Sequence, residues 1–377
     1  MKIPLAEKQK VYRVNKSWLT RMHIDIWLLL GILALLSLSV VVVYSASDGN
    51  MAVVQRHLIR MGFAFLLMLA FAQVPPNVMS LITPWLFVLG ILMLTAVLLF
   101  GDVGKGAQRW LDLGVVRFQP SELMKLVLPM MIAWLYAHDS FPPPPKKLLL
   151  GGALIALTAG LIVVEPDLGT SLLIAMSGLF VLYFAGLQWK VIVAALFTAI
   201  ASAPIAWQFM HDYQKQRILT FLNPEADPLG SGYHIIQSKI AIGSGGLEGK
   251  GFMGSTQAHL EFLPESTTDF IFSVYAEEFG LIGVILLLTL YTFVIGRGLY
   301  IASKAQDNFT RLVAASLSMT LFVYVFVNIG MVSGLLPVVG LPLPLISYGG
   351  SAMVTLMISF GILMSIHTHK KMLVKSP

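Results

Sequence analysis

Apolar stretches long enough to cross a lipid bilayer recur along most of this 377-residue chain. A membrane-spanning helix needs about 20 consecutive, mainly apolar residues, because the hydrocarbon core of a bilayer is about 30 Å thick. Backbone groups inside that core must bond to one another, which favours helices. We therefore predict an all-α polytopic integral membrane protein with about ten transmembrane helices, near residues 24–46, 58–74, 79–100, 121–138, 148–164, 169–187, 189–208, 269–296, 312–333 and 346–367.

Composition narrows the possible classes of function. The chain is 57% hydrophobic and 12% charged, which is far more apolar than an ordinary soluble domain, and no nucleic-acid partner is expected. It has no cysteine, which excludes disulfides, thiolate metal sites and a cysteine nucleophile. We find no internal repeat, so an inverted-repeat transporter receives no support. We interpret residues 1–377 as a single membrane domain whose first apolar stretch is an uncleaved anchor.

The basic residues predict the orientation of the chain in the membrane. With ten spans, both termini lie on one side, and 15 of the 25 Lys and Arg residues fall on that side. The positive-inside rule therefore places both termini in the cytoplasm, with residues 1–23 as a basic N-terminal segment and residues 368–377 as a tail. Fifteen of the 19 acidic residues fall outside or at outer helix ends. We therefore expect the chemistry to face out.

The largest connection, residues 209–268, joins spans 7 and 8 and is predicted to be extracytoplasmic. Long ordered loops are often functional. Its "IIQSKIAIGSGG" segment predicts a short helix at the membrane interface, and "GSGGLEGKGFMGS" follows. Such glycines can cradle phosphate, but the spacing matches neither a P-loop nor a dinucleotide fingerprint, so we favour a flexible loop.

Charged residues near helix ends are candidates for a site. In "RFQPSELMKL", Glu122 and Lys125 are spaced i, i+3 and lie on one helix face, either as a structural ion pair or as part of a site. In "VEPDLGTS", Glu165 and Asp167 flank a proline in a tight outer turn, where Asp167 also suits helix capping. Arg109, with Lys105 and Arg117, predicts a cationic outer patch for an anionic headgroup, although interfacial anchoring alone would account for Arg109.

Two further segments indicate a site at the outer face. "PESTTDFIFSVYAEEFG" places Asp269 at the start of the eighth span, where helix capping is the alternative role. Deeper in the span, Glu277 and Glu278 predict a cavity lined by carboxylates. "GLLPVVGLPLPLISYGGSAM" is broken by proline and glycine at membrane depth, which predicts a re-entrant loop beside the site.

Together, "QPSELMKL", "EPDLGTSL", "NPEADPLGSGYHIIQSKIAIGSGGLEGKGF", "PESTTDFIF" and "GLPLPLISYGGSAM" resemble the SEDS family of bacterial cell-wall polymerases. The outer motifs resemble the elongation branch, RodA, more than the division branch, FtsW. The resemblance implies a peptidoglycan glycosyltransferase of the bacterial cytoplasmic membrane that polymerises lipid II and releases undecaprenyl diphosphate. It also implies membrane lipid, a class B penicillin-binding protein and the elongation machinery as partners.

The resemblance places the family's essential aspartate at Asp269. It implies supporting roles for Glu122, Lys125 and Asp167, and Arg109 and the "ISYGGS" positions, which include Ser347 and Tyr348, also match the family. The chemistry requires a base for the acceptor hydroxyl and positive charge for the diphosphate. The candidates for that charge are Arg109, Lys125, Arg217, Lys239 and Lys250, or a divalent cation (Mg or Mn) held by Asp269 or Asp167.

Two other classes of function are weighed against the polymerase. A flippase or transporter of lipid-linked precursors would also need intramembrane charges and broken helices. A scaffold that only docks a penicillin-binding protein would not need charged residues at helix ends around one face. The acidic residues cluster on the side that carries the large loop, so we favour the enzyme.

Overall fold

The computed structural model describes residues 22–104, 107–112, 117–209, 212–226, 231–260, 262–263 and 265–369. These residues form α1 (Ile26–Ala46), α2 (Met51–Gln73), α3 (Pro76–Phe100), α4 (Pro120–Tyr136), α5 (Pro145–Val164), α6 (Leu168–Phe184), α7 (Trp189–Phe209), α8 (Asp212–Leu222), α9 (Ser231–Ser244), α10 (Thr256–His259), α11 (Ile271–Ser303), α12 (Asn308–Val332) and α13 (Ser351–Thr368). A 3-10 helix spans Pro224–Ala226. A helix lies at each of the ten predicted spans, which identifies a multi-pass membrane protein.

Seven of these helices are at least 18 residues long and apolar enough to cross a membrane. Some bounds differ from the prediction, and α2 begins seven residues earlier than expected. Asn50 caps that helix by accepting hydrogen bonds from the N–H groups of Ala52 and Val53. The first turns of α2 contain polar residues, so the apolar pattern of the sequence did not predict this start.

A small antiparallel sheet in the connection between α3 and α4 is the exception to the all-α prediction. Its strands are β1 (Asp102–Gly104), β2 (Ala107–Asp112) and β3 (Arg117–Phe118), in the order β1-β2-β3. Strands β1 and β3 are too short to show alternation, and the "AQRWLD" of β2 does not alternate apolar and polar residues, so the pattern did not reveal them.

Helix α11 consists of two segments, because the backbone of Gly280 has a positive φ of 60° and breaks it. The first segment, residues 271–279, is almost entirely buried in the protein. The second segment, residues 281–303, exposes apolar side chains such as Ile282 and Ile285. The predicted span at residues 269–296 is therefore offset, and the second segment supplies the length that crosses the membrane.

Helix α12 lies at the centre of the molecule. It packs against α4, α6 and α11, while α1 packs on α11 and α2 packs on α13. Residues 333–350, between α12 and α13, are not helical, yet Leu341, Leu343 and Ile346 are buried. Non-helical backbone at membrane depth is tolerated when protein surrounds it. The segment thus has the surroundings expected of the predicted re-entrant loop.

Candidate active site

A row of hydrogen bonds fixes the turn that carries Asp269. The backbone oxygens of residues 267–269 each accept one bond: from the N–H of Tyr348 at 2.8 Å, from Oγ of Ser347 at 2.6 Å and from Nδ2 of Asn328 at 2.9 Å. We call these three donors the clamp. Because the clamp acts on backbone atoms, it holds the position of Asp269 without occupying its carboxylate. Ser347 and Tyr348 therefore support the site through the backbone of residues 267 and 268.

The Asp269 side chain is half-buried and lies just outside the capping position, since Phe270 is the N-cap of α11. Its Oδ2 atom faces Gly340 and would lie 3.5 Å from a Cβ atom at that position. Gly340 also has a positive φ of 73°, which disfavours other residues. The re-entrant loop therefore leaves space beside this carboxylate.

Glu122 and Lys125 form the ion pair expected from their spacing, with 2.7 Å between Nζ and Oε1. Both side chains are buried, and Nζ of Lys125 also donates to the hydroxyl of Tyr324 on α12 at 2.5 Å. The pair therefore joins α4 to the central helix. Oε2 of Glu122 is buried and has no hydrogen-bond partner, so this carboxylate retains an unused acceptor.

Asp167 caps α6 and also joins a second polar group. Its Oδ1 accepts from the N–H of Thr170 at 3.1 Å, and its Oδ2 accepts from Nε2 of Gln119 at 3.3 Å. Nε of Arg109 lies 3.7 Å from the same Oδ2, while the guanidinium donates to the carbonyl of Pro166. The capping and site interpretations of Asp167 are thus compatible.

The central helix brings these groups to one side of the molecule. Tyr324 and Asn328 lie one turn apart on α12, so the helix face that contacts Lys125 also contacts the backbone of Asp269. Gly169, next to the Asp167 cap, approaches the loop so closely that a Cβ atom there would lie 2.8 Å from the carbonyl oxygen of Val339. Residues far apart in sequence therefore surround residues 339–341.

The remaining predicted cations lie in different environments. Lys239, on α9, is exposed, and its alkyl chain packs over Gly334. Lys250 forms an ion pair with Glu277, with 2.6 Å between the charged atoms.

The two described cations of the predicted outer patch have different surroundings. Arg117 lies 3.5 Å from Asp112 and is largely exposed. Lys105 lies outside the described residues. Of the predicted outer patch, the structure brings Arg109 into the site and leaves Arg117 on the surface.

Glu277 and Glu278 do not line the predicted cavity. Glu277 is fully buried and accepts bonds from the side chains of Lys250, Ser255 and Thr256 in the loop of residues 209–268. Glu278 accepts from the Ser45 hydroxyl on α1. The expectation was wrong because protein encloses both carboxylates: Glu277 also accepts from the backbone N–H groups of Thr256 and Gln257, and Glu278 is buried against α1.

The glycine-rich segment forms a tight contact with the break in α11. The N–H groups of Lys250 and Gly251 donate to the carbonyls of residues 277 and 278, and those of residues 281 and 282 donate to Gly246 and Leu247. A Cβ atom on Gly249 would lie 2.1 Å from the carbonyl oxygen of Glu278. These glycines permit close backbone approach, so the favoured interpretation of a flexible loop was wrong.

Glu165 is a residue of this region whose role the sequence did not reveal. It is 1% exposed and neither carboxylate oxygen has a hydrogen-bond partner. Burial, with a further contribution from the Asp167 charge, raises the pKa of Glu165 to about 8, and Arg109 opposes the rise. Gln119, Tyr324 and Asn328 were also missed, although a tyrosine and an asparagine one turn apart in an apolar span are a signal for polar contacts.

The side chains near Asp269 and Asp167 limit how a divalent cation could be held. Within the described parts of the chain, no group of three or more His, Asp or Glu side chains could hold a metal ion. Both oxygens of Asp167 already accept hydrogen bonds. The described residues therefore hold no preassembled cluster of carboxylate and histidine ligands around Asp269 or Asp167.

Comparison with known proteins gives relatives over almost the whole chain. The chain is 54% identical to the peptidoglycan glycosyltransferase MrdB of Escherichia coli K12, over 96% of this chain and 98% of the relative. It is 42% identical to the MrdB protein of Helicobacter pylori J99, over 74% of each chain.

Solved structures with the same fold agree. A chain from a peptidoglycan synthase complex that coordinates polymerization and crosslinking matches with a TM-score of 0.79 and 32% identity, over 91% of this chain and 97% of that one. The crystal structure of Thermus thermophilus RodA matches with a TM-score of 0.70 and 26% identity, over 92% and 98%. The family model described as "Cell cycle protein", for FtsW, RodA and SpoVE, matches residues 17–372. The chain therefore belongs to the FtsW, RodA and SpoVE family of cell cycle proteins, the SEDS family.

Proposed function

We propose that this protein is a peptidoglycan glycosyltransferase that polymerises lipid II into glycan strands during cell elongation. The observation that carries the proposal is the clamp, which presents Asp269 beside the space at Gly340 and next to the buried groups of α4 and α6. The relatives named peptidoglycan glycosyltransferase, over nearly the full length, support the same activity. Undecaprenyl diphosphate is the leaving group.

In the proposed reaction Asp269 is the general base. As the hydroxyl oxygen of the acceptor sugar attacks the anomeric carbon of the donor, its proton passes to the Asp269 carboxylate. The bond between that carbon and the diphosphate oxygen breaks, and the electron pair leaves with undecaprenyl diphosphate. The donor centre is inverted, because the nucleophile attacks opposite the leaving group. No covalent intermediate with the protein is needed.

The other polar groups have distinct proposed roles. Lys125 is buried and donates hydrogen bonds to Glu122 and Tyr324, so it orients α4 against α12. Its positive charge acts on the substrate diphosphate from within the protein, without direct contact. Arg109 is partly exposed beside Asp167 and is placed to approach a diphosphate oxygen. Lys239 is exposed on α9 and is a second cation for the substrate at the outer surface.

The orientation and partners follow from the same proposal. Both termini lie in the cytoplasm, and the outer loop and Asp269 face the side where cell wall is made. The protein works with a class B penicillin-binding protein, which crosslinks the glycan, as part of the elongation machinery. The match to a peptidoglycan synthase complex of polymerization and crosslinking supports such a pairing.

The decisive experiment measures glycan chains formed from purified lipid II. The protein is reconstituted with its penicillin-binding partner, and the parent is compared with Asp269→Asn and with the control Glu248→Gln, an exposed acid in the same outer loop. We expect polymer from the parent and from the control, and at least about a hundredfold less from Asp269→Asn, the range of general base catalysis. Undiminished polymer from Asp269→Asn would remove this carboxylate from the chemistry. A folded parent complex that moves lipid II across vesicles but makes no polymer would favour a transporter.

A further inference from the structure

We propose that Arg60, stacked on Tyr348, binds the diphosphate of a polyprenyl-linked ligand on the membrane-facing side of α2. The inference rests on the proposed function, because it states where a lipid-linked substrate or leaving group is held. It concerns a part of the molecule outside the Asp269, Asp167 and Lys125 groups. It makes α2 part of the substrate-binding surface.

Arg60 is an exposed cation well inside a helix that crosses the membrane. It is the tenth residue of α2 (Met51–Gln73), which places its Cα about 14 Å along the helix axis from the first residue. Charged side chains within spans usually face a cavity or have a partner of opposite charge. An exposed guanidinium at this depth therefore calls for an anionic partner.

Two other cations in spanning helices have such a partner within the protein. Lys125 pairs with Glu122, and Arg297 pairs with Asp25 at 2.6 Å. Among the described residues, no carboxylate forms an ion pair with Arg60. Its guanidinium carbon lies 4.7 Å from the centroid of the Tyr348 ring instead. A guanidinium stacked on a ring keeps the N–H groups at its edge available, and that planar edge matches phosphate oxygens.

Tyr348 connects this cation to the candidate active site. The backbone N–H of Tyr348 is one donor of the clamp, so the ring under Arg60 belongs to the residue that holds the Asp269 turn. The Arg60 side chain also passes 3.9 Å from the position of a Cβ atom on Gly350. A small, mainly apolar cavity beside the re-entrant loop is lined by Tyr324 of α12, by loop residues that include Ser347 and Gly349, and by Met353 of α13. Arg60 on α2 and the polar side chains of Tyr324 and Asn328 on α12 thus all lie against this one loop.

Hydrogen bonds fix α2 against that loop. Nε2 of His57, one turn before Arg60, lies 2.8 Å from the Ser39 hydroxyl, which donates to the carbonyl of Ile346 at 2.8 Å. Buried contacts therefore fix the backbone of α2 at Arg60 relative to the loop that carries Tyr348.

A second arginine makes a diphosphate a better match than a single phosphate. Arg56 is exposed and lies one turn before Arg60 on the same helix face. Residues in this relation have Cβ atoms about 6 Å apart, so two guanidinium groups can each reach one phosphate. The apolar surface of α2 continues below Arg60 through Phe63 and Leu66, both largely exposed, which suits a polyprenyl chain.

The test measures binding, so it does not depend on turnover. The full-length protein with its penicillin-binding partner is titrated in detergent with undecaprenyl diphosphate, undecaprenol and phosphatidylglycerol, and bound lipid is counted by native mass spectrometry. The variants are Arg60→Gln and Tyr348→Leu, which removes the ring but keeps the backbone donor. The control is Arg311→Gln, because Arg311 is also exposed and also stacks on an aromatic ring, with its guanidinium carbon 5.0 Å from the Phe141 centroid.

We expect Arg60→Gln to weaken undecaprenyl diphosphate binding about tenfold or more, the loss typical of charged hydrogen bonds. Tyr348→Leu should weaken it less, and Arg311→Gln should leave it unchanged. Parent-like binding by Arg60→Gln would overturn the inference, as would equal competition by phosphatidylglycerol, which would identify a general phospholipid site. If Asp269→Asn still polymerises while Arg60→Gln loses binding, the catalytic proposal fails and this one stands.

Discussion

Helices α12 and α5 are almost equally apolar, yet they occupy opposite environments. Their most apolar windows have mean hydropathies of 2.0 and 2.2, but 78% of the α12 window is buried in the protein and 22% of the α5 window. Hydropathy measures transfer from water, and a lipid tail is as apolar as a leucine side chain. It therefore predicts that a helix spans the membrane and does not predict whether protein or lipid surrounds it.

The polar residues of the two helices explain the difference. Thr158 is the one buried polar side chain of α5, and it bonds to its own helix. Helix α12 buries Thr310, Ser316, Ser318, Thr320, Tyr324 and Asn328. Several of these bond to other elements, including α4, α6 and the re-entrant loop. Polar side chains that reach across helices thus mark the centre of this protein and the face on which its site is built.

The largest effect should come from breaking the contact between α4 and α12. Lys125→Met leaves Glu122 buried without its cation, and removing one member of a buried ion pair costs about 3–5 kcal/mol. We expect a marked fall in the melting temperature in detergent, measured by scanning fluorimetry. The double variant Glu122→Gln/Lys125→Met should recover part of that loss. A single variant as stable as the parent would show that the pair does not join these helices.

Asn328→Leu should have the next largest effect. It removes the bonds to the carbonyls of Asp269 and Leu341 and leaves both oxygens without this donor, at about 1–3 kcal/mol for each buried group. Glycan synthesis should fall more than stability, because the Asp269 turn loses one donor of the clamp. Thr158→Val in α5 is the matched control and should retain activity. Equal activity of Asn328→Leu and the parent would contradict a positioning role for the clamp.

Glu165 should make stability depend on pH. Its folded-state pKa is raised to about 8, above the ordinary glutamate value expected in the unfolded chain. The free energy of unfolding should therefore fall as pH rises from about 5 through about 8, because the buried carboxyl must ionise. Glu165→Gln cannot ionise and should melt at a higher temperature than the parent at about pH 9, with the difference vanishing near pH 5. Identical melting curves of the two proteins at every pH would contradict this prediction.

The smallest effect is expected on the lipid-facing side of α5. Leu157 is 48% exposed, whereas Leu321 of α12 is 3% exposed. Leu157→Ala should change the free energy of unfolding by no more than about 0.5 kcal/mol, as for other surface substitutions. Leu321→Ala should cost about 2–5 kcal/mol because it leaves a cavity. Similar losses in the two variants would show that α5 is covered by protein in the assembled complex.

Motifs and residue types predicted much of the candidate site. The i, i+3 spacing of Glu122 and Lys125 predicted their ion pair, and the turn position of Asp167 predicted its helix cap, since both contacts are local in sequence. The roles of Ser347 and Tyr348 as backbone donors could not be read in this way. Those contacts join residues about 80 positions apart, and no local pattern encodes which carbonyl a distant hydroxyl will reach.

By itself, the sequence determined that this chain crosses the membrane about ten times and where its polar segments lie, because bilayer thickness imposes a length on every span. The tertiary structure decided which polar residues meet. It buried Glu277 against the loop of residues 209–268, and it held the turn of Asp269 with donors from α12 and the re-entrant loop. The physical reason is that burial and hydrogen bonding depend on neighbouring helices, whereas the length of a span depends only on the thickness of the bilayer.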